Sequence, residues 1–222
     1  MSLIDVYEIY RNDSDINTII NNINEMLHKY AMEKDVFLAC HGRAHAMFVV
    51  DRAEYILKSL GYDDKTVKLG KIAALLHDIG NIAGRWNHAR KSAALAAVFL
   101  DGHFSVEEKN MIVQAIDDHS NGENISSVVG AALLIADKLD VSKKRILNWE
   151  NLDGFTKKML EIDDVSIEIT GKAMTINYVT NKNFCKASFI DDYKKGFSIP
   201  RKAAKYLCCE CVFQFNGEEV IL

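Results

Sequence analysis

His77 and Asp78 stand side by side at the end of an apolar run, Ala73-Ala-Leu-Leu-His-Asp-Ile-Gly80. The run has the rhythm of a buried helix, so two adjacent ionisable residues break its pattern. An anion in a helix's last turn is opposed by the helix dipole, by roughly 0.3–1 kcal/mol. Local rules are broken in this way mostly where function compensates. The anomaly recurs. His119 continues the helical face of Ile112 and Ile116, Asp137 falls just after Leu133 and Leu134, and His45 precedes Met47-Phe-Val-Val50. A buried carboxylate without a partner costs several kcal/mol, and a divalent cation would compensate it. Imidazoles mixed with carboxylates suit manganese, iron, cobalt, nickel or zinc better than calcium.

Each residue alone has a plainer reading. A histidine near an apolar face is more often a hydrogen-bonded core residue than a ligand, and Asp137 could pair with Lys138 or Lys143. Together, two aspartates and three or four histidines on consecutive helices have no equally simple structural account.

The elements that must position them read as helices. Ile16, Ile19, Ile20, Ile23, Met26, Leu27 and Tyr30 recur at helical spacing after Asn12-Asp13-Ser14. Further helices are expected over residues 42–60, with Gly61 as terminator, over residues 64–80 with Gly80 ending them, and over residues 87–100. Ser105-Val-Glu-Glu108 has capping-box spacing and opens a helix reaching His119; Ser126 is expected to cap one running to residue 139 or 141. Near residue 160 the register changes to alternation, in Val165–Ile169 and Met174–Tyr178 around Gly171-Lys172, which is a hairpin signature. A helix is expected over residues 201–209, then a second hairpin through Asn216-Gly217.

Composition limits the partners. A formal charge of −4 gives no footprint for general nucleic-acid binding, although a local basic pocket remains compatible with it. The opening residues lack a basic segment followed by an apolar core, and no run approaches the ~20 apolar residues of a membrane span. The expected location is the cytoplasm, with no membrane partner. Five cysteines without secretory context read as buried thiols rather than a disulfide framework, and Cys208-Cys209-x-Cys211 has no second Cys/His pair to complete a metal site.

His45-Ala-Met-Phe-Val49, the doublet in Ala74-Leu-Leu-His77-Asp78-Ile-Gly80, and Ile135-Ala-Asp137-Lys138 resemble the HD superfamily of metal-dependent phosphohydrolases over roughly residues 40–145. The helical series and the later alternation give a mainly α fold, a helical body over residues 1–158 with a small C-terminal α+β appendage over residues 159–222, and the resemblance implies that the body is an orthogonal bundle. It implies a first metal held by His45, His77, Asp78 and Asp137. A second is implied by His88 and His119 with Asp78 as bridge, although a helix-opening histidine such as His88 also serves simple polar roles. His41, one turn before His45, is read as a supporting residue rather than a ligand; His28 and His103 are read as surface residues. Ten residues separate Asp78 from His88, fewer than in the cyclic-di-GMP phosphodiesterase branch, and Asn81 stands where that branch has lysine. Its substrate is therefore not carried over. His119-Ser120 loosely resembles a segment of the branch that cleaves diadenosine tetraphosphate.

The implied activity is hydrolysis of a phosphomonoester or phosphoanhydride, of a nucleotide, by metal-activated water with one or two divalent ions. Asp78 and Lys138 are the catalytic candidates. Arg43, Arg85, Arg90, Lys91 and Lys138 are the candidate phosphate clamps, each of which could equally be a solvated charge. Trp86 is expected to be half-buried between helices rather than free to stack on a base. Alternatives are a non-catalytic metal- or nucleotide-binding sensor, which would be stabilised by ligand without turnover, and a di-iron oxygenase, which would consume oxygen. The appendage either covers the site or makes a homodimer interface.

Overall fold

The computed structural model describes residues 41–83, 85–146 and 152–221. The helix expected over residues 16–30, His28 and Cys40 lie outside them. Helix α1 (Arg43–Ser59) ends in the expected left-handed glycine, Gly61 at φ 79, with Tyr62 N–H returning to the Leu57 carbonyl. Helix α2 (Asp64–Leu76) is capped by Asp63, which accepts from Thr66 N–H. It stops four residues short of Gly80. His77 is its C-cap, and a 3-10 turn, Ile79–Ala83, follows. Gly80 therefore serves close packing rather than termination. A Cβ there would lie 2.4 Å from the backbone of His88 and Ser92, at the start of α3 (His88–Phe99).

Helix α4 (Val106–Asp118) carries the full Ser105/Glu108 capping box. Helix α5 (Val128–Lys138) is capped by Ser127, whose Oγ accepts from Gly130 N–H; the expected cap, Ser126, instead reaches Asp118. Every residue from Val129 to Asp137 is buried, because α5 is enclosed by α1, α2, α4 and α8. A helix apolar on all sides belongs at the centre. It also delivers Asp137 there.

The C-terminal part begins with a short helix that the sequence did not signal, α6 (Gly154–Met159), capped by Asp153. The first hairpin is as expected, with β1 (Ile162–Thr170) antiparallel to β2 (Ala173–Thr180). After β2 come α7 (Lys186–Asp192) and α8 (Lys194–Tyr206). Helix α8 starts seven residues before the expected position and carries Pro200 inside it, so the Gly196 carbonyl lacks its usual i+4 donor. Strand β3 (Glu210–Phe215) then returns parallel to β2, a pairing invisible to local alternation, and Asn216-Gly217, both at positive φ, turn it into β4 (Glu218–Glu219). The sheet order is β1-β2-β3-β4.

The two parts share one continuous hydrophobic core. Ile199 of α8 closes against Gly122 in the α4–α5 loop, and Tyr55 of α1 accepts the Ile169 N–H of β1. Two packing expectations are corrected. Trp86 is 82% exposed, because it sits in the loop before α3 rather than between helices. Among the described cysteines only Cys209 is buried; Cys211 is half-buried, and Cys185 and Cys208 are exposed, Cys208 because at φ 58 it is the left-handed residue past α8. Among the described residues no helix is long and apolar enough to cross a membrane.

Candidate metal centre

Five helix ends bring the charged residues together. His45 comes from the first turn of α1, His77 and Asp78 from the end of α2, His88 opens α3, His119 caps α4, and Asp137 lies in the last turn of α5. His45, His77, His119, Asp78 and Asp137 are all buried, at 8% exposure or less, and only His88 is half-exposed. The six residues implied by the family resemblance therefore converge.

Asp78 is the hub. Its Oδ2 lies 3.6 Å from His45 Nε2 and 3.5 Å from His77 Nε2, while its Oδ1 lies 3.5 Å from His88 Nε2 and 3.7 Å from His119 Nε2. Asp137 Oδ1 joins the first pair, at 3.3 Å from His45 and 3.7 Å from His77. Each carboxylate oxygen of Asp78 thus faces its own pair of imidazoles.

The outer ring nitrogens fix the tautomers. His77 Nδ1–H donates to the Ala74 carbonyl and His119 Nδ1–H to the Ile116 carbonyl, both at 2.6 Å. A carbonyl only accepts, so the neutral rings carry their proton on Nδ1 and turn an Nε2 lone pair inward. His88 does the same towards the Arg85 carbonyl at 3.3 Å, and His45 Nδ1 meets Asp140 Oδ2 at 2.7 Å. Lone pairs consequently face one another at 3.1 Å, His45 against His77 and His88 against His119. Four inward lone pairs and two buried carboxylates repel one another unless cations lie between them. The donor set fits a divalent metal. Two groups, His45/His77/Asp137 and His77/Asp78/His119, each bring ligand atoms within 4.8 Å, and both are drawn from these six residues.

The electrostatics agree. Burial depresses His77 to a pKa of about 4, so it is neutral and able to ligate near pH 7. Burial would raise Asp78, but the neighbouring imidazoles, His77 and His119 first, outweigh it and hold the carboxyl well below the usual range. Asp137 is likewise held down against its burial, chiefly by Lys138 and then His45. His45 is the exception: burial and Arg145 push it down, yet its contacts with the Asp137 and Asp140 carboxylates prevail and its pKa is raised, so a metal at its Nε2 would displace a proton held towards Asp137.

Above these six residues opens a cavity of about 420 Å³, within the ~300–1,000 Å³ usual for small-molecule sites. Of the expected phosphate clamps, Arg85 and Lys138 line it. Lys138 holds Asp137 Oδ2, the oxygen turned away from His45. Arg90 and Lys91 do not line it: they lie on α3 beyond His88, on faces the helix turns elsewhere. The Arg43 side chain lies outside the described residues. His41 lines the cavity beside His45, as a neighbour of the ligand set, and His103 is exposed.

Four residues were missed. Asp140 orients His45, and Arg145 in turn donates to the Asp140 carbonyl at 3.0 Å and approaches His45 Nε2 at 3.4 Å. Lys195 reaches the cavity from α8. Asn81 lines it too, 3% exposed and with neither amide atom hydrogen-bonded among the described residues. Asp140, three residues after Asp137, was the only one with a local signal.

Comparison with known proteins follows the same residues. Residues 43–142 match the HD domain family model. The chain is similar to ribonuclease Y of Wolinella succinogenes, 30% identical over 180 residues that cover 78% of this chain and 32% of the relative. It is also similar to ribonuclease Y of Helicobacter hepaticus, 26% identical over 199 residues covering 86% and 35%. This chain thus spans about a third of the length of these curated relatives. A solved structure of a predicted HD superfamily hydrolase from an uncultured Thermotogales bacterium is 25% identical and aligns with a TM-score of 0.48, over 64% of this chain and 75% of that one.

Proposed function

Since this chain carries an HD domain over residues 43–142, we propose that it hydrolyses a phosphomonoester or phosphoanhydride of a nucleotide, using water activated at a centre of one or two divalent ions. The observation that carries this reading is the placement of Asp78, each of whose oxygens faces a separate pair of imidazole Nε2 atoms. His45, His77, Asp78 and Asp137 would hold the first ion; Asp78, His88 and His119 would hold the second. Bound metal lowers the pKa of water towards neutrality and polarises a phosphoryl oxygen.

The chain's own residues supply the rest. The carbonyls of Ala74 and Ile116 hold two imidazoles in the ligating tautomer, and Asp140 holds a third. Lys138 keeps Asp137 turned towards His45 and His77 and places a positive charge on the cavity wall, where Arg85 adds another. These charges favour an anionic substrate despite the acidic chain.

A phosphodiester of RNA is the second reading, favoured by the likeness to ribonuclease Y proteins. Protein reconstituted with manganese or iron, its metal content verified, is to be assayed against nucleoside mono-, di- and triphosphates, simple phosphoesters and short oligoribonucleotides. Release of phosphate or nucleoside phosphate that disappears in Asp78→Ala is expected. Release of oligonucleotide fragments alone would select the second reading. No turnover on any member of the panel would overturn both and leave a metal-bearing sensor.

A further inference from the structure

The cavity has two unlike halves. Its floor is made by the HD domain and carries Asp78, Asn81, His119 and Asp137; its facing wall comes from the C-terminal part, with Phe155 and Met159 of α6, Tyr193 at the junction of α7 and α8, and Lys195 and Ile199 of α8. A phosphoryl group at the metal ligands occupies only the floor of a 420 Å³ space. The remainder must receive what the phosphate is attached to, and its chemistry is that of the wall.

That wall is largely apolar and aromatic. The Phe155 and Tyr193 rings lie nearly parallel, 26° apart with centroids at 5.2 Å, and both are half-buried at the cavity. The Tyr193 hydroxyl is already committed, donating to the Lys138 carbonyl at 2.8 Å, so its ring rather than its hydroxyl is what it offers. Aromatic surface beside charged metal ligands is best covered by a flat, apolar-faced group that stacks on it. Two polar features frame the same space. Asp153 lines it while accepting from Thr156 N–H through Oδ1, leaving lone pairs suited to sugar hydroxyls. Lys195 lines it with no ion-pair partner among the described residues. On the floor, Asn81 keeps a buried amide whose donor and acceptor have no partner among the described residues, which is costly unless a bound group uses them.

We propose that the wall built by α6 and α8, centred on Phe155 and Tyr193, is the subsite for the nucleoside part of the substrate, so that the C-terminal part selects the leaving group while the HD domain hydrolyses it. The proposal rests on the phosphohydrolase reading above. In the reaction, a water oxygen bonds to phosphorus and the bond from phosphorus to the nucleoside oxygen breaks, its electron pair staying on that oxygen. A proton lost by the water ends there.

The test compares adenosine monophosphate, the dinucleotide ApA and methyl phosphate as substrates of the manganese-loaded chain, in wild type, Phe155→Leu and Lys195→Glu. Wild type should prefer the nucleotide to methyl phosphate in kcat/KM, and Phe155→Leu should reduce that preference about tenfold, the scale of one lost base–aromatic stack. Lys195→Glu lies on an exposed position and should raise KM for the nucleotide without lowering the melting temperature. It therefore tests the wall even where Phe155→Leu folds poorly. Faster turnover of ApA than of the monophosphate would assign the subsite to the end of an oligonucleotide; the converse would assign it to free nucleotides. An unchanged preference in both variants would overturn the proposal. Where wild type turns over none of the three and no nucleoside di- or triphosphate either, the hydrolase reading fails by itself. Calorimetry with adenosine then decides the wall: binding weakened about tenfold in Phe155→Leu supports it, and absence of binding overturns it.

Discussion

Tyr193, the N-cap of α8, donates its hydroxyl to the backbone carbonyl of Lys138, at 2.8 Å and across 55 residues of sequence. Lys138 follows Asp137 directly and holds that carboxylate by a charge-assisted bond. The C-terminal part is therefore latched to the bundle beside a proposed metal ligand.

Removing the latch should be measurable. Burial raises the Tyr193 hydroxyl well above its ordinary pKa, so it remains a donor throughout the accessible pH range. Tyr193→Phe keeps the ring stack and should cost about 1 kcal/mol, read as a lower melting temperature. Metal content should be unchanged. An unaltered melting temperature would mean that the bond is replaced by water.

Asp140 touches no proposed metal position but holds His45 Nδ1 at 2.7 Å. Asp140→Asn should lower metal affinity about 10–100-fold, the usual cost of losing an orienting partner behind a ligating histidine. Titration of the metal-free protein with zinc measures it. Affinity within twofold of wild type would show that His45 needs no such support.

The pH dependence follows from His77. Its folded pKa of about 4 lies below the ordinary 6.5, so between these values the unfolded chain binds more protons than the folded one. Its contribution to stability is complete above about pH 6.5 and drains away as pH falls towards 4. His45 acts with the opposite sign, its raised pKa favouring the fold below pH 6.5 and being lost as pH rises through the folded value. The metal-free chain should melt at lower temperature at pH 4.5 than at pH 7. The metal-loaded chain should show a steeper fall, because protons compete for the ligands. Scanning calorimetry that found the metal-free chain equally stable at both values would contradict burial of a neutral His77.

Gly80 is a packing glycine. A methyl group there would meet backbone atoms of His88 and Ser92 at 2.4 Å, and backbone cannot swing aside as a side-chain tip can. Gly80→Ala should cost about 1–3 kcal/mol and push His88 off Asp78, weakening the second metal site more than the first. Equal loss at both sites would show that α3 moves without carrying His88 away.

The outlines of the site were legible because the signals that made them so are local. A helix repeats every 3.6 residues, so polar groups breaking an apolar stripe stand out at His77, Asp78, His119 and Asp137 without knowledge of any neighbour. Capping at Ser105 and termination at Gly61 are local for the same reason. What tertiary structure alone decided lies far apart along the chain. The contact of His45 with Asp140 spans 95 residues, and that of Arg145 with His45 spans 100. The parallel pairing of β2 with β3, the exposure of Trp86 and the aromatic wall over the cavity depend on how helices dock, which periodicity does not encode. Backbone and side-chain preferences of neighbouring residues choose the elements. Only burial of their combined apolar faces chooses which ends meet, and hence that two carboxylates and four imidazoles come to face one another.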